Sequence, residues 1–413
     1  MPSKFRKNIL FSVYLLSFLF SLQAALPDYI NSSYLGTLMS QKLFSLIYAV
    51  AAVLAIGGFL LLPKILRRFG NYNVAIFLLI IELTALLGLG TFKNAITVSL
   101  FMTSSLITLT FLSFSFDIFL EGYSADASTG KTRGIYLTCV NLAWALAPAL
   151  AGLILTASHY HYQQIYFSAF ILLLPVLLIL SIFLRNFKDS PYQVTHPFKT
   201  IAQVWQNRDI RNIFMSVFLL QFFYCWMTIY TPVYLNTVWA FSWGQIGFIF
   251  SIMLLPFIFV QFPAGKLADS RLGEKEMLFV GFLLMSLATI VIFLINNGNE
   301  SLARVLYVIK IDQLSIEITG YVLLWALILF ATRIGAAVVE VMCDTYFFKK
   351  VDNQNANLIS FYRLGRPLAY IIGPLLAILI LGFSGLGLKS LFLILGLIML
   401  FGLRFSSVIK DTK

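Results

Sequence analysis

The sequence predicts an all-α integral membrane protein whose twelve transmembrane helices form two pseudo-symmetric six-helix bundles. Three observations carry that prediction. Of the 413 residues, 60% are hydrophobic and only 11% are charged, which leaves too little charge to cover a water-facing surface. Charge-poor runs long enough to cross a hydrocarbon core recur twelve times along the chain. The second half of the chain also repeats landmarks of the first.

The runs fall at 9–30, 42–62, 73–92, 97–122, 135–157 and 164–184, and then at 212–236, 244–264, 277–296, 320–347, 357–382 and 388–409. Each matches the roughly 20 residues a helix needs to cross about 30 Å of hydrocarbon. Continuous runs point to helices, which satisfy their backbone hydrogen bonds internally; barrel strands would show short alternating segments. The first run needs a separate test, because Lys4, Arg6 and Lys7, an apolar stretch and LQAAL at 22–26 imitate a secretory signal. It is read as a retained span, since the repeat described below uses it. The stretch 297–319 is the longest loop on the outer side, and 185–211 reads as a polar connector. The expected organisation is an N-terminal bundle at 1–184, a cytoplasmic linker at 185–211 and a C-terminal bundle at 212–413.

A net charge of +12 raises the question of nucleic acid. With the amino terminus inside, however, 23 of the 29 Lys and Arg fall on the cytoplasmic side, among them Lys64, Arg67, Arg68, Lys131, Arg133, Arg185 and Lys188. Orientation in a membrane accounts for that bias, so no nucleic-acid partner is expected. The expectation is a multi-pass protein of the cytoplasmic (inner) cell membrane, a monomer in contact with bilayer lipid, with both termini cytoplasmic. Cys139, Cys225 and Cys343 all lie within spans, so a structural disulfide is not expected. No metal-ligand spacing occurs, and His159 with His161 in SHYHY reads as a plain polar loop. No cofactor is expected, and a GxxxxGK[ST] phosphate loop is missing from the sequence.

The repeat begins with PDYIN at 27–31 and PVYLN at 232–236, each closing the first helix of its half. On the fourth helix of each half stands a pair of acids spaced by four, Asp117 with Glu121 in FDIFLEGY and Glu340 with Asp344 in VEVMCDTY. Pro148 and Pro374 take equivalent places on the fifth. Between spans eight and nine, GKLADSRLGEK at 265–275 supplies Gly265, Asp269, Arg271, Gly273 and Lys275. The matching loop PKILRRFGNYN keeps Arg68 and Gly70 but has Pro63 and Arg67 where Gly and Asp stand in the other. By these residues the chain resembles the major facilitator superfamily. The resemblance implies paired bundles that rock about a site near the bilayer midplane, with helices one, four, seven and ten lining the cavity and helix three peripheral to it. It also implies that the 265–275 loop meets the start of span five, where Arg133 stands, and that Arg67 faces Arg363 and Arg366 at span eleven. An asymmetric gate of Gly265, Asp269, Arg271, Gly273, Arg133, Arg363 and Arg366 is the expectation.

Ionisable groups inside the spans are the strongest functional candidates, since each costs about 2.5–3.5 kcal/mol to place at mid-membrane. For Asp117, Glu121, Glu340 and Asp344 two readings stay open: a gate that holds Lys131, Arg133, Lys349, Arg363 or Arg366, or protonation coupled to transport. Arg333, the deepest basic residue, needs an anion, supplied by Glu340 two turns along or by a substrate. Glu82, midway through span three, reads as neutral and packed. On the cavity-lining helices Gln23, Gln221, Tyr224, Trp226 and Tyr230 complete the candidate site. The function expected is non-enzymatic: secondary active transport of a small organic solute by alternating access, with proton coupling through the acid pairs. A membrane enzyme acting on lipid-linked substrate and a transporter-like receptor that does not turn over are the rivals.

Overall fold

The structure, a computed structural model, describes residues 3–123, 129–189, 200–268, 272–311, 314–351, 356–383 and 387–410. Two compact units divide the chain, Met1–Val194 and Thr195–Lys413. The first holds α1 (Ser3–Asp28), α2 (Asn31–Leu38), α3 (Gln41–Thr91), α4 (Ala95–Tyr123), α5 (Thr129–Ala157) and α6 (Gln163–Phe183). The second holds α7 (Ile201–Gln206), α8 (Arg208–Thr237), α9 (Trp243–Leu254), α10 (Pro256–Phe259), α11 (Gln261–Leu267), α12 (Glu274–Leu294) and α13 (Glu300–Ala303). It continues with strands β1 (Val305–Ile311) and β2 (Leu314–Thr319), then α14 (Gly320–Lys350), α15 (Ala356–Arg363), α16 (Gly365–Phe383) and α17 (Lys389–Val408).

Among the described residues eleven helical segments are long and apolar enough to cross a membrane. The twelfth span lies within α3, whose 51 residues would measure about 76 Å, more than twice the hydrocarbon thickness. Gly70 divides it, with φ 74° and ψ 155°, a conformation open to glycine because it has no Cβ. Gly273, at the matching place before α12, also has positive φ, 93°. The two loops therefore end in the same backbone device, although the first has lost most of the residues that identify the second. After Gly70, the Asn71 N–H donates to the Asp189 carboxylate at 3.0 Å and its side-chain amide donates to the Ser115 carbonyl at 2.9 Å, which fastens the new helix to α4.

In the N-terminal unit α3 lies against α4 and α6, and α1 lies against α5 and α6. Leu22 and Ala25 of α1 meet Ala143 and Ala147 of α5; the three alanines are small enough to let the helices approach closely where burial alone gives no drive to associate. The first span runs on past its predicted end. A turn at Tyr29–Ile30 leads into α2, where the Asn31 carboxamide oxygen accepts from Tyr166 Oη at 2.9 Å.

In the C-terminal unit α12 lies against α14 and α17, and α8 against α16 and α17. Span eight is assembled from α9, α10 and α11, opened by a Ser242–Gln245 capping box and interrupted at Leu255 and Val260. The α12–α14 contact brings backbone against backbone: a Cβ at Gly335 would stand 2.6 Å from the Gly281 carbonyl oxygen and 2.7 Å from Met285 Cγ. Gly335→Ala is expected to cost about 1–3 kcal/mol through overpacking, read as a lower Tm in detergent. Gly57→Ala, where nothing lies within 4 Å, is the control and is expected to be neutral or stabilising.

One element departs from the all-helical expectation. The stretch read as an outer loop contains the antiparallel hairpin β1–β2, with Val308 opposite Glu317 and Ile309 opposite Ile316. Gln245 Nε2 donates to the Glu317 carbonyl at 2.7 Å, tying the hairpin to α9. Likewise the polar connector is not featureless, since it carries α7 and the first turn of α8, where Asn207 caps Asp209 and Ile210.

Candidate functional site

Helix α14 places Thr332, Arg333, Glu340 and Asp344 along one length of the C-terminal unit, with Arg333 and Glu340 two turns apart. Arg333 is 1% exposed. Its guanidinium carbon lies 5.0 Å from the Phe223 ring centroid and 5.6 Å from that of Tyr224, both on α8. Such contacts are worth about 0.5–2 kcal/mol, most where water is excluded. Its Nη1 is buried and has no hydrogen-bond partner among the described residues.

The sequence offered Glu340 as the internal partner of Arg333, whose charge does act on that carboxylate, while the hydrogen bonds to it come from neutral groups. Gln261 Nε2 of α11 donates to Glu340 Oε2 at 3.0 Å, and Tyr224 Oη donates to the same oxygen over a long 3.5 Å. Tyr224 thus touches both groups, with its ring near the cation and its hydroxyl on the acid. Gln221 is half-buried one turn before it. Trp226 and Tyr230 are enclosed in the unit, Trp226 Nε1 donating to the Gly373 carbonyl at 2.8 Å and stacking edge-on with Tyr230.

Asp117 and Asp344 share a second arrangement. Tyr136 Oη of α5 donates to Asp117 Oδ1 at 3.2 Å, and Tyr362 Oη donates to Asp344 Oδ1 at 2.8 Å. The two tyrosines stand 226 positions apart, the spacing that also relates Pro148 to Pro374. This geometry pairs Asp117 with Asp344, one turn away from the alignment of acid pairs used above, and sets Glu340 opposite Ser113. Glu121 is exposed at the end of α4. Removing either hydroxyl is expected to cost about 1 kcal/mol. By its shorter bond, Tyr362→Phe should lower the Tm more than Tyr136→Phe.

Of the expected gate residues, Asp269 and Arg271 lie outside the described residues, and Arg133 does so with its side chain. Gly265 sits half-buried on α11 with open space where a Cβ would be. Arg363 and Arg366 are exposed, and the Arg366 guanidinium lies 5.7 Å from the Tyr370 ring. Lys349, offered to the acid pairs, forms an ion pair with Glu274, a carboxylate 1% exposed at the start of α12. Lys350 pairs with Asp209 at 3.6 Å.

In the N-terminal unit Gln23 faces Glu82. Gln23 Nε2 donates to Glu82 Oε1 at 3.4 Å and Ser105 Oγ donates to it at 2.8 Å. Both Gln23 and Glu82 are 0% exposed. Gln261, Phe223, Tyr136, Tyr362 and Ser105 escaped the sequence reading. The tyrosines carried a usable signal, since they keep the spacing of the repeated prolines; the lone Gln261 in FIFVQFPAG carried none beyond its polarity.

Twelve apolar spans divided between two units define a multi-pass membrane protein. A family model described as Major Facilitator Superfamily matches residues 118–329, and the chain belongs to that superfamily. No curated protein matches the sequence. Among solved structures it is similar to a bacterial homolog of the human lysosomal transporter Spinster, in an inward-facing and unoccupied conformation. That likeness has 13% identity and a TM-score of 0.66, covering 99% of this chain and 94% of the other. It is also similar to the human organic anion transporter MFSD10 (TETRAN), at 15% identity, 98% and 100% coverage, and a TM-score of 0.64. At these identities the likeness is one of fold. The small-molecule cargo and the bilayer partner follow from the family.

Proposed function

We propose that the chain is a secondary active transporter that moves a small organic anion across the cytoplasmic membrane by alternating access, acting as a monomer with Arg333 as the anchor for the anion. One observation carries the reading: a permanently charged guanidinium is buried with an N–H that no described residue accepts. An unpaired buried donor costs about 1–3 kcal/mol. A carboxylate, sulfonate or phosphate on a solute supplies both the acceptor and the counter-charge, and guanidinium geometry suits such groups. The rings of Phe223 and Tyr224 give the organic part of the solute an apolar wall. One of the structures sharing this fold is named as an organic anion transporter, which favours the same class of cargo.

Glu340 suits proton coupling because its donors, Gln261 and Tyr224, are neutral. It can gain or lose a proton without breaking an ion pair to either. Asp117 and Asp344, each held by a tyrosine, and the exposed Glu121 are the remaining carboxylates of the coupling set. The test is uptake into proteoliposomes of carboxylates, sulfonates, phosphate esters, sugars, amino acids and cationic dyes. An anion should accumulate in wild type and fail to do so in Arg333→Gln. Accumulation of cationic dyes that ignores Arg333 would sink the reading, and so would flux of nothing at all, which fits a receptor or an enzyme instead.

A further inference from the structure

Glu82 lies buried inside the N-terminal unit. Its carboxyl is reached by two donors from two other helices, Gln23 on α1 and Ser105 on α4, and both engage Oε1. The second oxygen, Oε2, is buried without a partner among the described residues, and so is Gln23 Oε1. The cluster is therefore rich in acceptors and short of hydrogens. An ionised carboxylate here would keep its charge in an apolar interior with one oxygen unsolvated, an arrangement proteins avoid.

Among the described residues no cation pairs with it, and on α3 itself the nearest is Arg68, on the far side of the Gly70 break. Helix α6, packed on α3, has no charged side chain. On α4 the nearest charged residue, Asp117, stands about 18 Å along the helix from Ser105. On α1 the nearest to Gln23 is Asp28, itself an acid, and α2 has none. A single added hydrogen removes the charge and turns one of the crowded acceptors into a donor. Because the nitrogen and oxygen of an amide exchange by a half-turn, a protonated Glu82 can donate to Gln23 Oε1 across the same contact while still accepting from Ser105.

We propose that Glu82 is a proton-binding site, held as a neutral acid between α1 and α4 and giving up its proton only when those helices part. On release the acid O–H bond breaks, the proton passes to entering water, and the carboxylate left behind is solvated by that water. Only the use of the site in a transport cycle rests on the transporter reading; the bound proton does not.

Infrared difference spectroscopy of the purified full chain tests the site without any solute, so its outcome is independent of whether anions are carried. At neutral pH wild type should show the carbonyl stretch of a protonated carboxylic acid that Glu82→Gln lacks. Ser105→Ala and Gln23→Leu should shift that band by removing its partners, which keeps the test alive if Glu82→Gln folds poorly. Survival of the whole acid band in Glu82→Gln overturns the proposal. So does a band untouched by both Ser105→Ala and Gln23→Leu. Loss of the wild-type band on adding sodium chloride at fixed pH, with none on adding choline chloride, would mark a sodium site instead and overturn it equally.

Discussion

Arg333→Gln is expected to weaken binding of the transported anion by about 30- to 700-fold. Removing one partner of a buried, hydrogen-bonded charge pair costs about 2–4 kcal/mol in the complex, and each 1.4 kcal/mol is tenfold. The same substitution should leave the unliganded protein as stable as before, or more so. In the absence of solute the guanidinium has a buried N–H without an acceptor among the described residues and acts on Glu340 by charge without a hydrogen bond to it, so deleting its charge removes a desolvation penalty larger than the attraction that is lost. A structural arginine would behave in the opposite way, with stability falling and binding hardly changing. Thermal unfolding with and without a saturating anion separates the two, since a ligand of the native state raises Tm. Arg333→Lys keeps the charge but not the planar fork and should lie between wild type and Arg333→Gln. A Tm that drops sharply in Arg333→Gln without ligand would refute the anchor role.

Glu340→Gln should abolish accumulation driven by a proton gradient while sparing exchange. If one proton accompanies each anion, a pH step of one unit, worth about 1.4 kcal/mol, concentrates solute about tenfold. With no ionisable group at the coupling position that ratio falls to about one. Labelled-solute counterflow, which needs no gradient, should continue, because an amide keeps the size of the side chain and can still meet Gln261 and Tyr224. The sign follows from the chemistry: acid on the side from which the solute enters should speed uptake in wild type and do nothing in the variant. Full gradient-driven accumulation by Glu340→Gln would move the coupling elsewhere.

Much of the architecture was legible in the sequence because bilayer thickness imposes a length on every span and hydropathy reports it directly. The reading failed where length was not the controlling quantity. Strand β2, LSIEIT, alternates with period two, and β1 is a short apolar run, signals lost when the stretch is scanned only for apolar runs long enough to span. The division of α3 at Gly70 was placed correctly because charges at Lys64, Arg67 and Arg68 separate the two runs, but the positive φ that makes the division was not visible. Ionisable residues were easy to find, since they are rare in such a chain. Their partners were not. Sequence spacing suggested Arg333 with Glu340 on one helix, whereas Gln261 and Tyr224 reach Glu340 from two other helices, and tertiary neighbours of that kind leave no periodic trace. The acid pairs were aligned one turn away from the register given by their tyrosines because the local motif resembles itself at both offsets.

Gly70 and Gly273 share a backbone shape that a side chain resists, and a Cβ at Gly70 would come 2.8 Å from Asp189 Oδ2. In a saturation library screened for surface expression, these two columns should be the bare ones among the connecting segments. Their ψ values of 155° and 163° lie outside the left-handed helical region that asparagine tolerates and in one that is essentially glycine's alone, so asparagine should vanish from both along with valine and isoleucine.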